Sequence, residues 1–247
     1  MEATSSLELL READLEIDGR LLDATNATFL CRLEVGRSAG GGGPAIEAAS
    51  PRCVYKPIRG ERPLDDFPHG TLAYRERAAY LLSEVTGWGI VPPTVLRDGP
   101  FGFGMVQLWV EPDPRADVLA MILAPDPRLR RVALYDVLAN NADRKGGHLL
   151  PLTTGHVHGV DHGVCFAVQP KLRTVLWAWR GQPLESHETD VVHRVVGALA
   201  GSLRAELEEI LSPAEVTATA RRAEQLLEAG RMPMPDPLRP ALPWPPF

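Results

Sequence analysis

The stretch Asn140-Asn-Ala-Asp-Arg-Lys-Gly-Gly-His-Leu-Leu150 decides how this chain reads. It is the densest polar run in the sequence, it follows a segment with helical spacing over 129–140, and it ends on an apolar pair. Its glycines and charges predict a loop. Thirteen residues beyond His148 comes Asp161, within Val160-Asp-His-Gly163. Four of the seven histidines (His148, His156, His158, His162) fall in this window. A loop carboxylate at Asp143, a second ligand at His148 and an aspartate before glycine at Asp161 form a constellation suited to a metal–nucleotide complex. One carboxylate orients an acceptor hydroxyl, the other holds a divalent cation against phosphates, and catalysis is mainly positioning and charge neutralisation.

Working outward, the chain before this stretch is strand-rich. Residues 6–14 read as a short helix, and residues 15–35 as two strands joined by a turn over 23–28. Gly40–Gly43 reads as a linker rather than a phosphate loop, because no GK[ST] follows it. Cys53-Val-Tyr-Lys-Pro57 reads as a strand ended by proline. Leu72, Ala79, Leu82 and Val85 recur at helical spacing, and Gly87 suits the position after a helix. Residues 95–110 read as a hairpin turning at Asp98-Gly99, with Met105–Val110 as its second strand. Glu111-Pro-Asp-Pro114 breaks the chain.

Beyond that break, residues 118–123 and 129–140 read as helices, 156–166 as a strand pair around Gly159–Gly163, and 186–211 as one long helical region. Ser212-Pro-Ala-Glu215 is a capping box with proline at the first helical position, opening a helix to about Ala229. Residues 231–247 hold seven prolines in 17 and should be extended. The expected organisation is a strand-rich lobe over 1–111, a helix-rich lobe over 112–230 and a proline-rich tail over 231–247, with a ligand cleft between the lobes.

Composition sharpens the choice of residues. The 26 basic residues comprise 23 arginines and only three lysines, Lys56, Lys145 and Lys171; asparagine is limited to Asn26, Asn140 and Asn141. Against a coding bias toward Arg, Ala, Gly and Pro, each lysine and asparagine marks a position to inspect. The 247 residues carry a net charge of −6, which argues against a general nucleic-acid binder. No apolar run reaches the roughly 20 residues of a membrane span. The acidic start lacks a signal-peptide pattern, and the three widely spaced cysteines fit free thiols, so a cytoplasmic setting is expected.

With those residues in place, the sequence resembles the phosphatidylinositol 3- and 4-kinase superfamily, and in particular small bacterial proteins of unknown substrate related to it. Asp143-Arg-Lys-Gly-Gly-His148 resembles its D-R-x-x-x-N loop and Asp161-His162-Gly163 its D-F-G, with Lys56 matching the ATP-phosphate lysine and Glu76 its ion-pair partner. The resemblance implies a two-lobed α+β kinase-like fold and γ-phosphoryl transfer from ATP to an acceptor it does not identify. It implies Asp143 as the catalytic residue and His148 and Asp161 as ligands of Mg²⁺ or Mn²⁺. Lys56, Glu76, the Thr25-Asn26 turn and Lys145 form its nucleotide-binding set.

Two positions depart from the pattern: His148 stands for asparagine and His162 for phenylalanine. Imidazole is a softer ligand than an amide oxygen and shifts preference toward later first-row metals such as Mn²⁺. The same departure supports an alternative, a catalytically weak pseudokinase-like nucleotide-binding module. His156-Val-His-Gly-Val-Asp-His162 suggests a further alternative, a His/Asp metallohydrolase, with one residue too many between the second histidine and the aspartate.

Overall fold

The computed structural model describes residues 3–21, 26–34 and 50–247. The expected glycine linker at 40–43 and Thr25 lie outside these residues. The chain divides into two compact units: Met1–Arg77 with Pro92–Val110, and Ala78–Val91 with Glu111–Phe247.

In the first unit, helix α1 (Ala3–Glu12) leads into five strands: β1 (Asp14–Arg20), β2 (Phe29–Glu34), β3 (Arg52–Pro57), β4 (Thr94–Gly99) and β5 (Gly102–Leu108). They form one antiparallel sheet in the order β1-β2-β3-β5-β4. Helix α1 packs on β4 and β5, placing Leu10 in a core with Cys31, Leu33, Tyr55, Val95 and Val106. Arg97 fastens it by donating to the carbonyls of Leu10 (3.0 Å) and Ala13 (2.7 Å), which receive no further helical bond.

Strand alternation sets the first functional residue. In β3 the side chains of Cys53 and Tyr55 are buried in this core, so Lys56 points to the opposite face. Gly104 lies opposite Pro57 in the neighbouring strand; a Cβ there would come within 2.7 Å of the Pro57 Cα and closer still to the Lys56 carbonyl. The absent side chain lets the two strands approach where Lys56 is presented.

Helix α2 (Leu72–Thr86) begins in this unit, and its residues from Ala78 onward belong to the second. Its first amides are capped by the Glu61 carboxylate, which accepts from Leu72 N (3.1 Å) and Ala73 N (2.8 Å). Burial nevertheless pushes the Glu61 pKa up, against the pull of these amides.

The second unit adds α3 (Val118–Leu123), α4 (Arg128–Ala139), a two-stranded hairpin of β6 (Leu149–Pro151) and β7 (Val157–Gly159), and helices α5 (Ser186–Leu199), α6 (Ser202–Glu208) and α7 (Pro213–Ala229). Helix α4 is buried along almost its whole length, as expected of the central helix of a core. It packs against α7 and β7. Arg130 joins it to α5 through a bidentate bond to Glu188, 2.7 and 2.8 Å. The Ser212–Glu215 capping box opens α7, and Gly230 closes it in the left-handed conformation at φ 60°.

Two readings of this half are corrected. The strand pair expected around Gly159–Gly163 is instead the β6–β7 hairpin, whose turn over 152–155 is closed by Leu152 N to His156 O at 2.8 Å. The in-register bond from Val160 N to His148 O (3.0 Å) carries the pairing one residue beyond Gly159, and Asp161, at φ 60°, ends it. The long helix expected over 186–211 breaks at Gly201 (φ −139°, ψ −119°), so α5 and α6 are separate.

Candidate phosphoryl-transfer site

In the first unit, Lys56 Nζ lies 2.6 Å from Glu76 Oε1. Glu76 is buried on α2. Asn26 sits elsewhere in this unit: its side-chain oxygen accepts from Arg62 N at 2.8 Å, and Ala27 N donates to Gly60 O at 3.0 Å. Asn26 and Ala27 are thereby tied to the segment before α2.

In the second unit, the end of α4 builds the other residues. Asn140 closes the helix in the left-handed conformation (φ 52°, ψ 52°). Its amide is spent on three backbone groups: it donates to Ala167 O (2.9 Å) and Gln169 O (2.8 Å) and accepts from Lys171 N (2.8 Å). Asn141 donates to Asp136 Oδ1 (3.0 Å) and accepts from Asp143 N (3.0 Å), which sets the backbone of Asp143 directly.

Arg144 is the residue that sequence reading passed over. Its side chain and that of Asp136 are both 0% exposed. Its Nε reaches both Asp136 oxygens at 3.1 Å and its Nη2 reaches Oδ1 at 2.9 Å. Its remaining donors meet Val160 O at 2.9 Å and His162 Nε2 at 2.6 Å. Burial opposes the Arg144 charge, but Asp136 outweighs it and the pKa rises. One guanidinium thus grips the residues on both sides of Asp161. Asp161 itself keeps a side chain 50% exposed and stands 3.4 Å from His148 Nε2.

Asp143 is 34% exposed and lies 3.5 Å from Lys145 Nζ. Burial pushes its pKa up; Lys145 pulls it down, and the nearby Asp161 charge adds to the rise. Helix α3 packs against the Gly146–His148 turn of the same loop. The arrangement therefore pairs Asp143 with Lys145 and Asp161 with His148.

The residues of the metallohydrolase alternative do not converge. His156 Nε2 meets Gly89 O (2.9 Å), His158 Nδ1 meets Ile90 O (3.2 Å), and His162 is engaged by Arg144. Among the described residues no group of three His, Cys, Asp or Glu side chains is arranged to hold a metal ion. The Asp161–His148 pair does fit a divalent cation that takes one or two protein ligands and completes its shell with water and phosphate oxygens. No helix among the described residues is long and apolar enough to cross a membrane.

No family model matches the chain. The crystal structure of a Helicobacter pylori proinflammatory kinase, CtkA, superposes with a TM-score of 0.50, covering 90% of this chain and 94% of that one at 10% identity. That likeness, with the antiparallel sheet and the helical second unit, gives the chain a two-lobed α+β kinase-like fold. Phosphatidylinositol 4-kinase gamma 4 of Oryza sativa subsp. japonica is 29% identical over 135 residues, 47% of this chain but only 24% of that protein. Protein Rv2133c of Mycobacterium tuberculosis is 43% identical over a 274-residue alignment that takes in 97% of this chain and 94% of the relative. With similarity of that strength over nearly the whole of both chains, the protein belongs to the family of Mycobacterium tuberculosis Protein Rv2133c.

Proposed function

We propose that this protein transfers the γ-phosphoryl group of ATP to an acceptor hydroxyl, as a member of the kinase-like group related to phosphatidylinositol 3- and 4-kinases. The observation that carries the reading is the 2.6 Å Lys56–Glu76 ion pair, joining a lysine on strand β3 to a glutamate on the following helix. A kinase must have such a pair in place to hold the α- and β-phosphates. The local similarity to a phosphatidylinositol 4-kinase supports the choice of group.

In this reading, residues 1–111 bind the nucleotide phosphates and residues 112–230 carry the transfer. Lys56, oriented by Glu76, neutralises phosphate charge, and Asn26 belongs to the same nucleotide-binding set. Asp143 accepts the proton of the acceptor hydroxyl as its oxygen bonds to the γ-phosphorus and the bond to ADP breaks. Burial raises its pKa, which makes it a better base than an ordinary carboxylate. Lys145 offsets charge beside it. Asp161 and His148 would hold Mg²⁺ or Mn²⁺, which supplies charge neutralisation on the phosphates. Asn141 and Arg144 act through these residues, the first on the Asp143 backbone and the second on the flanks of Asp161.

A second reading, a nucleotide-binding module with weak turnover, is favoured by one contact. In that reading His148, 3.4 Å from the Asp161 carboxylate, is that carboxylate's hydrogen-bond partner and not a metal ligand. Lys56→Arg tests the reading. The planar fork cannot place a single donor as the ammonium does, so nucleotide affinity should fall about tenfold or more while the fold is kept. Full nucleotide affinity and turnover in Lys56→Arg would make Lys56 a structural cation and remove the observation on which the proposal stands.

A further inference from the structure

The proline-rich segment 231–247 does not trail from the second unit. Met232 is buried and exchanges backbone bonds with the turn after Trp179: Gly181 N to Met232 O is 3.0 Å, and Met232 N to Gln182 O is 2.9 Å. Further on, Ala241 O accepts from both Thr174 N (3.1 Å) and Trp177 Nε1 (2.9 Å). Thr174 is itself the bridge partner of Arg144. The segment then reaches the 143–148 loop, where Gly146 N donates to Pro246 O at 2.8 Å. A Cβ built on Gly146 would lie 2.5 Å from Phe247 Cζ and closer still to two other ring atoms. Gly146 is buried, and the Phe247 ring fills the space a side chain there would need.

We propose that this segment is a strap that positions the 143–148 loop, with Phe247 and Pro246 as its positioning residues. The inference rests on the reading of Asp143 and Asp161 as the residues of the transfer. From inside, the loop is held by Arg144 on Asp136; from outside, it is held at Gly146, midway between Asp143 and His148. A proline-rich strap suits that task, because its restricted backbone loses little conformational entropy on docking. It is not an inhibitory cover. The Asp161 side chain remains 50% exposed and that of Asp143 34%, so both carboxylates stay open with the strap docked.

The test uses the full chain and three variants: Phe247→Ala, Gly146→Ala and the two combined. Hydrogen exchange at the amides of residues 143–148 reads loop order without any need for activity. ATP turnover and the ATP dissociation constant are measured beside it. Phe247→Ala should speed exchange at Gly146 about tenfold, the equivalent of one lost interaction, with helix α4 unchanged. Turnover should fall by about the same factor with nucleotide affinity within about twofold, because the loop acts on the transition state rather than on ATP. Gly146→Ala should match Phe247→Ala, since its methyl displaces the ring. The double variant should be no worse than either single one, the signature of one shared contact.

Unchanged exchange in the loop, additive effects in the double variant, or turnover that rises when the ring is removed would each overturn the proposal. A wild-type protein without ATP turnover would defeat the transfer reading alone; the exchange measurements would still decide whether the strap orders the loop.

Discussion

Replacing Arg144 with methionine removes one partner of an ion pair in which both side chains are fully buried. Asp136 would lose three hydrogen bonds from the guanidinium, at 3.1, 3.1 and 2.9 Å. Among the described residues it would keep Asn141 Nδ2 at 3.0 Å and Thr174 Oγ1 at 3.4 Å. Two neutral donors do not compensate an ionised carboxylate in a dry interior, and breaking a buried pair in this way costs about 3–5 kcal/mol. Val160 O also loses its 2.9 Å donor, which adds about 1 kcal/mol. The sum is a large part of the roughly 5–15 kcal/mol that holds a typical protein folded. Urea unfolding should show a much lower midpoint for Arg144→Met. Arg144→Lys should recover little, because one ammonium cannot serve Asp136, Val160 O and His162 from three directions. The decisive variant is Arg144→Met combined with Asp136→Leu. With both charges gone, stability should return to within about 2 kcal/mol of wild type. If the double variant costs the sum of the two single ones, or if Arg144→Met costs less than about 1 kcal/mol, the buried pair does not hold the loop.

Two further perturbations probe the same unit. Burial, together with repulsion from His156, lowers the His158 pKa from 6.5 to about 4. The unfolded chain therefore binds more protons between those values. The stability His158 contributes is complete above pH 6.5 and is lost as pH falls toward 4, to a total of about 3 kcal/mol at 1.36 kcal/mol per pKa unit. His158→Asn should flatten that limb in thermal melts taken from pH 7 to 4.5, and parallel curves for the two proteins would contradict it. Asn140→Ala removes three backbone contacts and replaces a residue that tolerates φ 52° through its short polar side chain with one that does not, which should cost about 2–4 kcal/mol in denaturant. Asn140→Gly keeps the conformation and should cost less; equal losses would show that the backbone angle is irrelevant.

What the sequence made legible follows from local chemistry. The capping box at Ser212–Glu215, the buried periodicity of α4 and the alternation of β3 each leave a signature within a few residues. Lys56 stood out because lysine is scarce in this chain. Arg144 did not, for the converse reason: one arginine among 23 carries no compositional signal, and its partner Asp136 lies a turn back on a helix otherwise read as apolar. The motif itself, an aspartate followed directly by arginine, was the available clue. Asparagine scarcity marked Asn140 and Asn141 for inspection but not their separate tasks: Asn140 closes α4, and Asn141 shapes the turn into Asp143. The hairpin was misplaced because His156–Phe166 alternates in sequence, yet a left-handed residue at Asp161 ends the ladder. Seven prolines announce an extended segment over 231–247, but nothing in composition says that it returns to Gly146.

The central claim is metal-dependent use of ATP by two aspartates with different tasks. Equilibrium binding of ATP, titrated with and without Mg²⁺ and Mn²⁺ in wild type, Asp161→Ala and Asp143→Asn, tests it most directly, with turnover measured in the same samples. The account predicts cation-dependent binding in wild type, loss of that dependence in Asp161→Ala, and near-normal binding with lost turnover in Asp143→Asn. Binding that ignores the cation and survives Asp161→Ala, or that vanishes in Asp143→Asn, would contradict it.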